Sequence, residues 1–185
     1  MKILLKKCYD QITRFAFKNM EIKSKTRILD IGCGKTGNFW GFAPENYIGL
    51  DADRNVLRKL AERRDGTYKL QDVCQGLPYP DGFFDYVLSV SFFHHLSAKQ
   101  AKQLIVRIKR ILSKNGRAII ADGVYPDSRL NVLGWLIRYF DRGHYVRHSD
   151  EFAKLFLEDF YIENSFSFSQ SIFAYTALLL RPKND

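Results

Sequence analysis

The feature that most constrains the fold of this chain is a short apolar run that ends in closely spaced glycines. Residues 28–37 read ILDIGCGKTG, so Gly32, Gly34 and Gly37 satisfy the pattern GxGxxG directly after a predicted strand. Glycines there let the strand turn sharply and let the backbone approach a ligand closely. The pattern is typical of α/β folds that bind nucleotide-like ligands at the ends of their strands, and alone it does not distinguish among them.

Other apolar runs of strand length alternate with helical patterns. Strands are predicted at residues 27–31, 47–51, 67–72, 84–90 and 117–122. Helices are predicted at 53–64 and 98–112, and Ser97 and Gln100 fit a capping box at the start of the second helix. This alternation predicts an α/β fold, Rossmann-like and doubly wound, whose mostly parallel sheet is covered on both faces.

The rhythm changes after Asp122. Helices are predicted at 129–140 and 150–157, followed by strands at 161–168 and 172–180 that a short turn joins as an antiparallel hairpin. The complete sheet is therefore expected to have seven strands within a single domain. We divide the chain into a basic N-terminal helix (1–26) and a main domain (27–185), which contains an insertion at 123–148.

Composition excludes several classes of protein. The 185 residues suit one domain, and the three cysteines are widely spaced with no CxxC pair. A disulfide framework or a zinc ribbon is therefore not expected, and the cysteine usage suits a reducing compartment. We read neither a transmembrane segment nor a signal peptide, and expect a cytoplasmic protein.

The net charge of +9 is concentrated at one end, because the first 27 residues carry eight Lys/Arg against two Asp/Glu. Helical spacing there gives an apolar face of Ile3, Leu4, Leu5, Cys8, Ile12, Phe15 and Ala16. Three interpretations stay open. The cations form a solvated helix face, the helix makes peripheral contact with an anionic surface, or it covers the ligand edge as a lid.

Neither of two common nucleotide-binding motifs accounts for the whole glycine loop and the acids around it. A phosphate-binding P-loop would need glycine at position 29, which is leucine. A nicotinamide or flavin fold accounts for Asp51, which lies 19 residues beyond Gly32. It does not account for Asp30, where such folds usually have an apolar residue, and the chain lacks a YxxxK pair and a second domain.

Four stretches in order along the chain resemble one family. They are ILDIGCG (28–34), YIGLDAD (47–53), LQDVCQGLPYPDGFFDYVLSVSFFHHL (70–96) and ILSKNGRAIIAD (111–122). Together they resemble class I S-adenosylmethionine-dependent methyltransferases of the small-molecule type. The resemblance implies S-adenosyl-L-methionine as cofactor and methyl transfer by in-line displacement to a small-molecule or lipid-like acceptor.

The resemblance also implies a role for each matching residue. The implied cofactor contacts are Asp30, Gly32, Cys33, Gly34, Asp51, Ala52, Asp72, Val73 and Ser89. Asp30 would orient the glycine loop and the cofactor's amino group, while residues 32–34 lie against its methionine part. Asp51 would accept from both ribose hydroxyls, and Asp72 from the adenine amino group. Ser89 would contact the amino-acid end.

Methyl transfer depends mainly on holding the two reactants in line, so no catalytic cluster is required. His95 is the candidate general base, with its neighbour His94 assigned to the substrate side. The four histidines offer no metal-ligand spacing, and no metal is expected. The insertion supplies the other candidate substrate residues, Tyr125, Arg142, His144 and Tyr145. It is also expected to form a mobile cover whose helix packs Leu133, Leu136 and Ile137 on the core.

Two alternative functions remain open. The first is a non-catalytic S-adenosylmethionine-fold protein acting at a membrane surface, which intact Asp30, Asp51 and Asp72 argue against. The second is an RNA methyltransferase. The tetrapeptide [DNS]PP[YFW] of amino-methylating enzymes is missing after the fourth strand, where SVSFFHHL stands instead, and no nucleic-acid-binding module is recognisable. Nucleic acid is therefore the less favoured partner.

Overall fold

The computed structural model describes residues 2–35, 44–60, 62–63, 66–128, 130–140 and 143–183. Seven strands form one sheet in the order β3-β2-β1-β4-β5-β7-β6. The strands are β1 (Ile28–Ile31), β2 (Tyr47–Asp51), β3 (Thr67–Leu70), β4 (Phe84–Val90), β5 (Leu112–Val124), β6 (Phe160–Gln170) and β7 (Phe173–Pro182). Gly37 and Arg142, both singled out from the sequence, lie outside the described residues.

The direction of the strands confirms the predicted sheet. In the sheet, the five adjacent strands β3, β2, β1, β4 and β5 pair in parallel. β7 runs antiparallel to both of its neighbours, β5 and β6. β7 is thus the one reversed strand, and the predicted C-terminal hairpin is present. The carboxyl ends of the parallel strands meet at one edge of the sheet, the place where open α/β sheets bind ligands.

Five α-helices accompany the sheet in the described part of the chain. They are α1 (Lys2–Lys18), α2 (Arg54–Leu60), α3 (Ala98–Ile111), α4 (Val132–Tyr139) and α5 (Ser149–Lys154). The capping box at α3 is confirmed, because Ser97 Oγ accepts from the Gln100 backbone N–H and the Gln100 side chain accepts from the Ser97 N–H. Among the described residues, no helix is both long enough and apolar enough to cross a membrane.

Some boundaries differ from the prediction. β5 begins at Leu112 instead of residue 117, because Leu112 pairs with Phe84 before a register shift brings Arg117 opposite Tyr86. The helix predicted from residue 53 begins at Arg54, since Asp53 caps it by accepting the N–H of Asn55 at 2.8 Å.

The sheet separates two hydrophobic cores. One lies against α3 and α5, where Leu29 and Val87 of the sheet meet Ile105, Ile108 and Phe152. The other lies against α1, where Cys8 and Ile12 meet Ile28, Leu88 and Tyr175. Most of the apolar face of α1 is therefore not free to enter a lipid surface, because Cys8, Ile12 and Phe15 are buried on the sheet. Contact of its cations with an anionic surface stays a prediction.

The position of α1 brings its start to the carboxyl edge of the sheet. The Tyr9 hydroxyl lies 3.5 Å from Oγ of Ser91, just beyond β4, while the Glu21 N–H donates to the Tyr86 hydroxyl near the other end of that strand. α1 therefore runs opposite to β4, and its first turns lie near the edge where ligands bind.

The packing of α4 agrees with the prediction at Ile137, which packs on the core, and differs from it at the two leucines. Leu133 and Leu136, expected in the core, are 57% and 48% exposed, whereas Arg138 is only 6% exposed. The Arg138 guanidinium donates to the carbonyls of Val124 and Ala174, and it lies 5.1 Å from the ring centre of Tyr175. These contacts turn Arg138 inward and the leucines outward.

Candidate functional site

A cavity of about 310 Å³ opens at the carboxyl ends of the first four strands. Its walls come from Gly32, Gly34, Leu50, Asp51, Ala52, Gln71, Asp72, Val73, Cys74, Ser91, Phe92, His95 and Leu96. The volume lies within the range of ordinary small-molecule sites. Because each strand contributes its last residues or the turn that follows, the parallel topology brings these positions together.

The glycine turn forms one wall. Gly32 and Gly34 have φ angles of +67° and +62°, which L side chains rarely adopt. A Cβ atom on Gly32 would lie 2.4 Å from the ring of Phe92, so the backbone and this ring are in close contact. The N–H of Cys33 donates to the Leu50 carbonyl at 2.9 Å and fixes the turn on β2. Glycine is required at position 32 for both its φ angle and its contact.

Asp51 lies at the end of β2, between the glycine turn and the start of α2. Its Oδ2 accepts the N–H of Gly34 at 2.9 Å and its Oδ1 accepts the N–H of Asp53 at 2.9 Å. A carboxylate has about four acceptor positions, so two such bonds orient the group and leave capacity for a ligand. Asp51 is thus a fixed acceptor on the cavity wall.

Asp72 is placed in a similar way after β3. Its Oδ1 accepts the N–H of Cys74 at 2.9 Å and its Oδ2 accepts from the Gln75 side chain at 3.1 Å. The turn is held from behind by Arg107, whose guanidinium donates to the carbonyls of Val73 and Cys74. Asp51 and Asp72 therefore present two oriented carboxylates to one cavity.

Asp30 has a different environment. It is fully buried within β1 and accepts a short hydrogen bond from the Tyr47 hydroxyl. Burial, and then the neighbouring Asp30 charge, raise the pKa of Tyr47, which keeps the phenol protonated as a donor. The structure brings two of the three predicted acids to the cavity wall and leaves the third inside the fold.

Two further predicted cofactor residues turn their side chains away from the cavity. The Cys33 thiol packs with Val56 and Leu60 under α2, and burial together with the charges of Asp30 and Asp51 raises its pKa strongly. The Ser89 hydroxyl is buried and donates to the Ile31 carbonyl at 3.1 Å. Any cofactor contact by Cys33 would come from its backbone, and the contact of Ser89 stays a prediction.

The sequence reasoning missed Ser91 and Phe92, which line the cavity directly after β4. Ser91 has a φ of +56°, and its N–H donates to the Ala121 carbonyl at 2.8 Å. Non-glycine residues in this conformation cost of the order of 1–3 kcal/mol and cluster at functional sites. The sequence indicates these two residues only by their position, because they directly follow a predicted strand that ends at the ligand-binding edge.

The two histidines lie in a 3-10 turn at Phe93–His95 and have different surroundings. His94 is buried, with Nδ1 lying 2.5 Å from Asp122 Oδ1 and its N–H donating to Asp122 Oδ2 at 2.8 Å. His95 is exposed and lines the cavity, with its ring centre 4.1 Å from that of His94. His94 secures the turn on β5, and His95 is the imidazole that a ligand can reach.

Residues 143–148 of the insertion are fixed to this turn. The Tyr145 N–H donates to the His94 carbonyl at 3.0 Å, and the Arg147 guanidinium donates to the carbonyls of Phe93 and Leu96. Burial lowers the pKa of Arg147, and the guanidinium stays protonated, as arginine does in proteins. The side chains of His144 and Tyr145 remain exposed beside the turn.

The other predicted substrate residue, Tyr125, belongs to an aromatic stack after β5. Its ring lies 4.7 Å from that of Trp135 in α4 and 5.2 Å from that of His148, measured between centres. The Tyr125 N–H also donates to the Arg147 carbonyl at 3.1 Å. The insertion and α4 are thereby tied to the same region as the histidine turn.

Sequence comparison identifies the family. The family described as a methyltransferase domain matches residues 29–120, which run from β1 into β5 and include the whole cavity wall. An uncharacterised methyltransferase of Bacillus subtilis, YcgJ, is 26% identical over 132 residues. That match covers 68% of this chain and 51% of YcgJ. A bovine 18S rRNA (guanine-N(7))-methyltransferase is 27% identical over 113 residues, covering 55% of this chain and 40% of its own length.

A solved structure shows the same fold. Phosphoethanolamine N-methyltransferase 2 of Haemonchus contortus, in complex with phosphomonomethylethanolamine and S-adenosylhomocysteine, superposes with a TM-score of 0.72 at 17% identity. The superposition covers 94% of this chain and 53% of that chain. The sequence matches span about half the length of the curated relatives. From its strand order, its cavity and these matches, the chain belongs to the class I S-adenosylmethionine-dependent methyltransferases, whose cofactor is S-adenosyl-L-methionine.

The residues around the cavity suit that cofactor. The two glycines give a wall without side chains, and Asp51 and Asp72 offer oriented carboxylate oxygens that can accept from hydroxyl and amino donors. Ala52, Val73 and Leu96 supply apolar surface on the cavity wall. The described residues hold no group of three His, Cys, Asp or Glu side chains that could bind a metal ion.

Proposed function

We propose that this protein transfers a methyl group from S-adenosyl-L-methionine to a small-molecule or lipid-like acceptor at the edge of this cavity. The observation that carries the proposal is the pair of oriented carboxylates, Asp51 and Asp72, facing one cavity beside a side-chain-free glycine turn. Such a pair suits a ligand with a ribose diol at one point and an exocyclic amine at another.

In this assignment Asp51 accepts from the ribose hydroxyls, while Ala52 and Val73 lie along the adenine and Asp72 accepts from its amino group. The backbone of Gly32, Cys33 and Gly34 lies against the methionine part. When bound, the cofactor supplies an activated methyl group on a sulfonium. The chain's own part is to hold the acceptor in line with that methyl group, because positioning alone contributes several kcal/mol to such reactions.

His95 is the residue assigned to proton removal, where the acceptor carries a proton to lose. It is the exposed imidazole on the cavity wall, and its ring is supported by His94, which Asp122 holds in place. A neutral imidazole can accept a proton near neutral pH. An acceptor that is already nucleophilic needs no base, and His95 then acts only through contact.

The insertion contributes the proposed acceptor contacts. Tyr125 and Tyr145 supply aromatic surface and His144 a polar group, and Arg142 belongs to the same sequence segment outside the described residues. Aromatic rings with a few polar groups suit an amphiphilic acceptor. The exposed apolar side chains of α4 beside this region favour a lipid-like acceptor over a highly polar one.

RNA is the second candidate acceptor. It is favoured by the exposed cations of α1, among them Lys6, Lys7 and Lys18, and by the RNA substrate named for the bovine relative. Phosphate contacts of that kind give affinity that falls steeply with salt. A small molecule remains our first choice, because the exposed side chains of α4, which the Tyr125–Trp135 contact ties to the insertion, are apolar or aromatic.

The direct test is to incubate the purified chain with S-adenosyl-L-methionine labelled in the methyl group and with a fractionated cell extract. Label is expected in the lipid or small-molecule fraction. The D51N/D72N variant should lose this transfer, and the D81N variant, which changes an exposed carboxylate paired with Arg110, should retain it. Label in RNA would identify the second candidate, and no transfer to any fraction would contradict the proposal.

A further inference from the structure

The outer face of α4 is apolar although it is exposed. We define this face as Val132, Leu133, Leu136, Tyr139 and Phe140, which are 48–76% exposed. The helix has one charged residue, Arg138, and this residue is buried. Surface helices normally show the opposite arrangement, with charged residues outward and apolar residues inward.

The residues of this face form one patch. Residues three and four positions apart adjoin on a helix, which links Leu133 to Leu136 and Leu136 to both Tyr139 and Phe140. The inward side is already occupied, because Gly134 packs against the Ile172 carbonyl and Arg138 bonds to two strand carbonyls. The helix therefore cannot rotate to bury its leucines without breaking these contacts.

α1 carries exposed cations and packs on the same core cluster as α4. Arg138 of α4 lies over the Tyr175 ring, and Cys8 of α1 packs in the same core cluster as Tyr175. The half-buried Leu4 and Leu5 of α1 also pack in the same core cluster as Ile137 of α4. Lys6 and Lys7 are exposed on this part of α1. α4 and the part of α1 that carries these two lysines thus pack on the same core cluster.

We propose that the outer face of α4, together with the exposed Lys6 and Lys7 of α1, docks the protein on an anionic lipid bilayer. An apolar face with aromatic residues beside cations is the combination that binds at such interfaces. The net charge of +9 favours an anionic surface and disfavours a second copy of the same chain, whose cations would repel it. This proposal does not depend on the proposed methyl transfer, because binding to lipid vesicles can be measured without any reaction.

Docking in this orientation has a consequence for the cavity. α4 is held to the end of β5 and the start of β7, and α1 reaches Ser91 on the cavity wall. A bilayer in contact with both helices would therefore lie on the side of the protein where the cavity opens. A lipid-like acceptor could then reach the insertion directly from the bilayer.

The test is cosedimentation of the full chain with vesicles of phosphatidylcholine alone or mixed equally with phosphatidylglycerol, across a salt series. We expect binding to the anionic vesicles that weakens as salt rises. The L133N/L136N variant should bind at least about tenfold more weakly, and the K6Q/K7Q variant about tenfold more weakly with a shallower salt dependence. The matched control V106N/L157N changes two exposed apolar residues beside the opposite core and should bind like the unaltered chain.

Circular dichroism and titration with S-adenosylhomocysteine check that each variant is folded. The proposal is overturned if the unaltered chain ignores anionic vesicles at low salt, or if L133N/L136N binds them as well as the control does. It is also overturned if light scattering finds a dimer that L133N/L136N alone abolishes while vesicles remain unbound. That result would assign the face to contact between copies of this chain.

Discussion

His94 and Asp122 join the ends of two neighbouring strands inside the protein. Asp122 Oδ1 lies 2.5 Å from Nδ1 of His94, and Asp122 Oδ2 accepts the N–H of the same residue at 2.8 Å. The N–H of Gly123 donates to Oδ1 as well, at 2.7 Å. One buried carboxylate therefore fixes the turn that carries His95 to the end of β5.

The D122N variant is expected to destabilise the fold by about 1–3 kcal/mol, because an amide cannot accept all of these bonds. Urea denaturation followed by circular dichroism measures the change. E158Q removes an exposed carboxylate paired with Lys102 and should leave the midpoint nearly unchanged. Equal midpoints for D122N and the unaltered chain would show that the carboxylate does not hold this turn.

The glycine turn gives a second prediction. G32A forces a side chain into a left-handed conformation and against the Phe92 ring, so we expect a loss of about 2–4 kcal/mol in stability. At Gly76 a Cβ would meet nothing within 4 Å, and G76A is the matched control. Thermal or urea unfolding of the two variants should differ clearly. Similar stability would mean that the close contact at Gly32 is not present in solution.

The sheet could be predicted because its signal is local. Each buried strand is a short apolar run bounded by glycine, aspartate or a helical pattern, and β2 and β4 match their predicted bounds. Asp51 and Asp72 follow from this order, because parallel strands place their last residues at one edge. The burial of Asp30 and Ser89 could not be predicted in this way. Their hydrogen-bond partners, Tyr47 and Ile31, lie on neighbouring strands and come close to them only in the folded sheet.

The orientation of α4 could not be predicted for a similar reason. Its leucines indicated a buried face, but the carbonyls of Val124 and Ala174 lie near the helix only in the folded chain. Arg138 satisfies both carbonyls, and an unsatisfied buried carbonyl costs about 1–3 kcal/mol. The helix therefore turns its arginine inward. The spacing of apolar residues in the sequence could not indicate this orientation.

Cysteine reactivity gives a third prediction. Burial raises the pKa values of Cys8, Cys33 and Cys74, but only Cys74 is partly exposed, and it lines the cavity. A raised pKa lowers the thiolate fraction at neutral pH, so alkylation of Cys74 should be slow and should accelerate as the pH rises. Cys8 and Cys33 should react only after unfolding.

The same reaction locates the ligand. Saturating S-adenosylhomocysteine should protect Cys74 from alkylation, as read by mass spectrometry of the modified peptides. The C74S variant is the control and should show no modification in the native state. Undiminished alkylation of Cys74 in the presence of bound S-adenosylhomocysteine would place the ligand elsewhere.

The insertion gives a fourth prediction. Y145A removes an exposed aromatic side chain beside the histidine turn, yet leaves intact the backbone bond from residue 145 to His94. Once an acceptor is known, turnover should fall while the affinity for S-adenosylhomocysteine stays nearly the same. Equal losses of turnover and of cofactor affinity would show that Tyr145 supports the cofactor cavity instead.

The central claim is that the cavity between Asp51 and Asp72 binds S-adenosyl-L-methionine or its demethylated product. Isothermal titration calorimetry with S-adenosylhomocysteine tests it most directly, with NAD as the competing ligand and D81N as the control variant. We predict that the unaltered chain and D81N bind S-adenosylhomocysteine and not NAD. D51N should bind more weakly by about 1–3 kcal/mol, the scale for leaving a hydrogen-bonded site unpaired. Binding of NAD without S-adenosylhomocysteine, or undiminished affinity in D51N, would contradict the account.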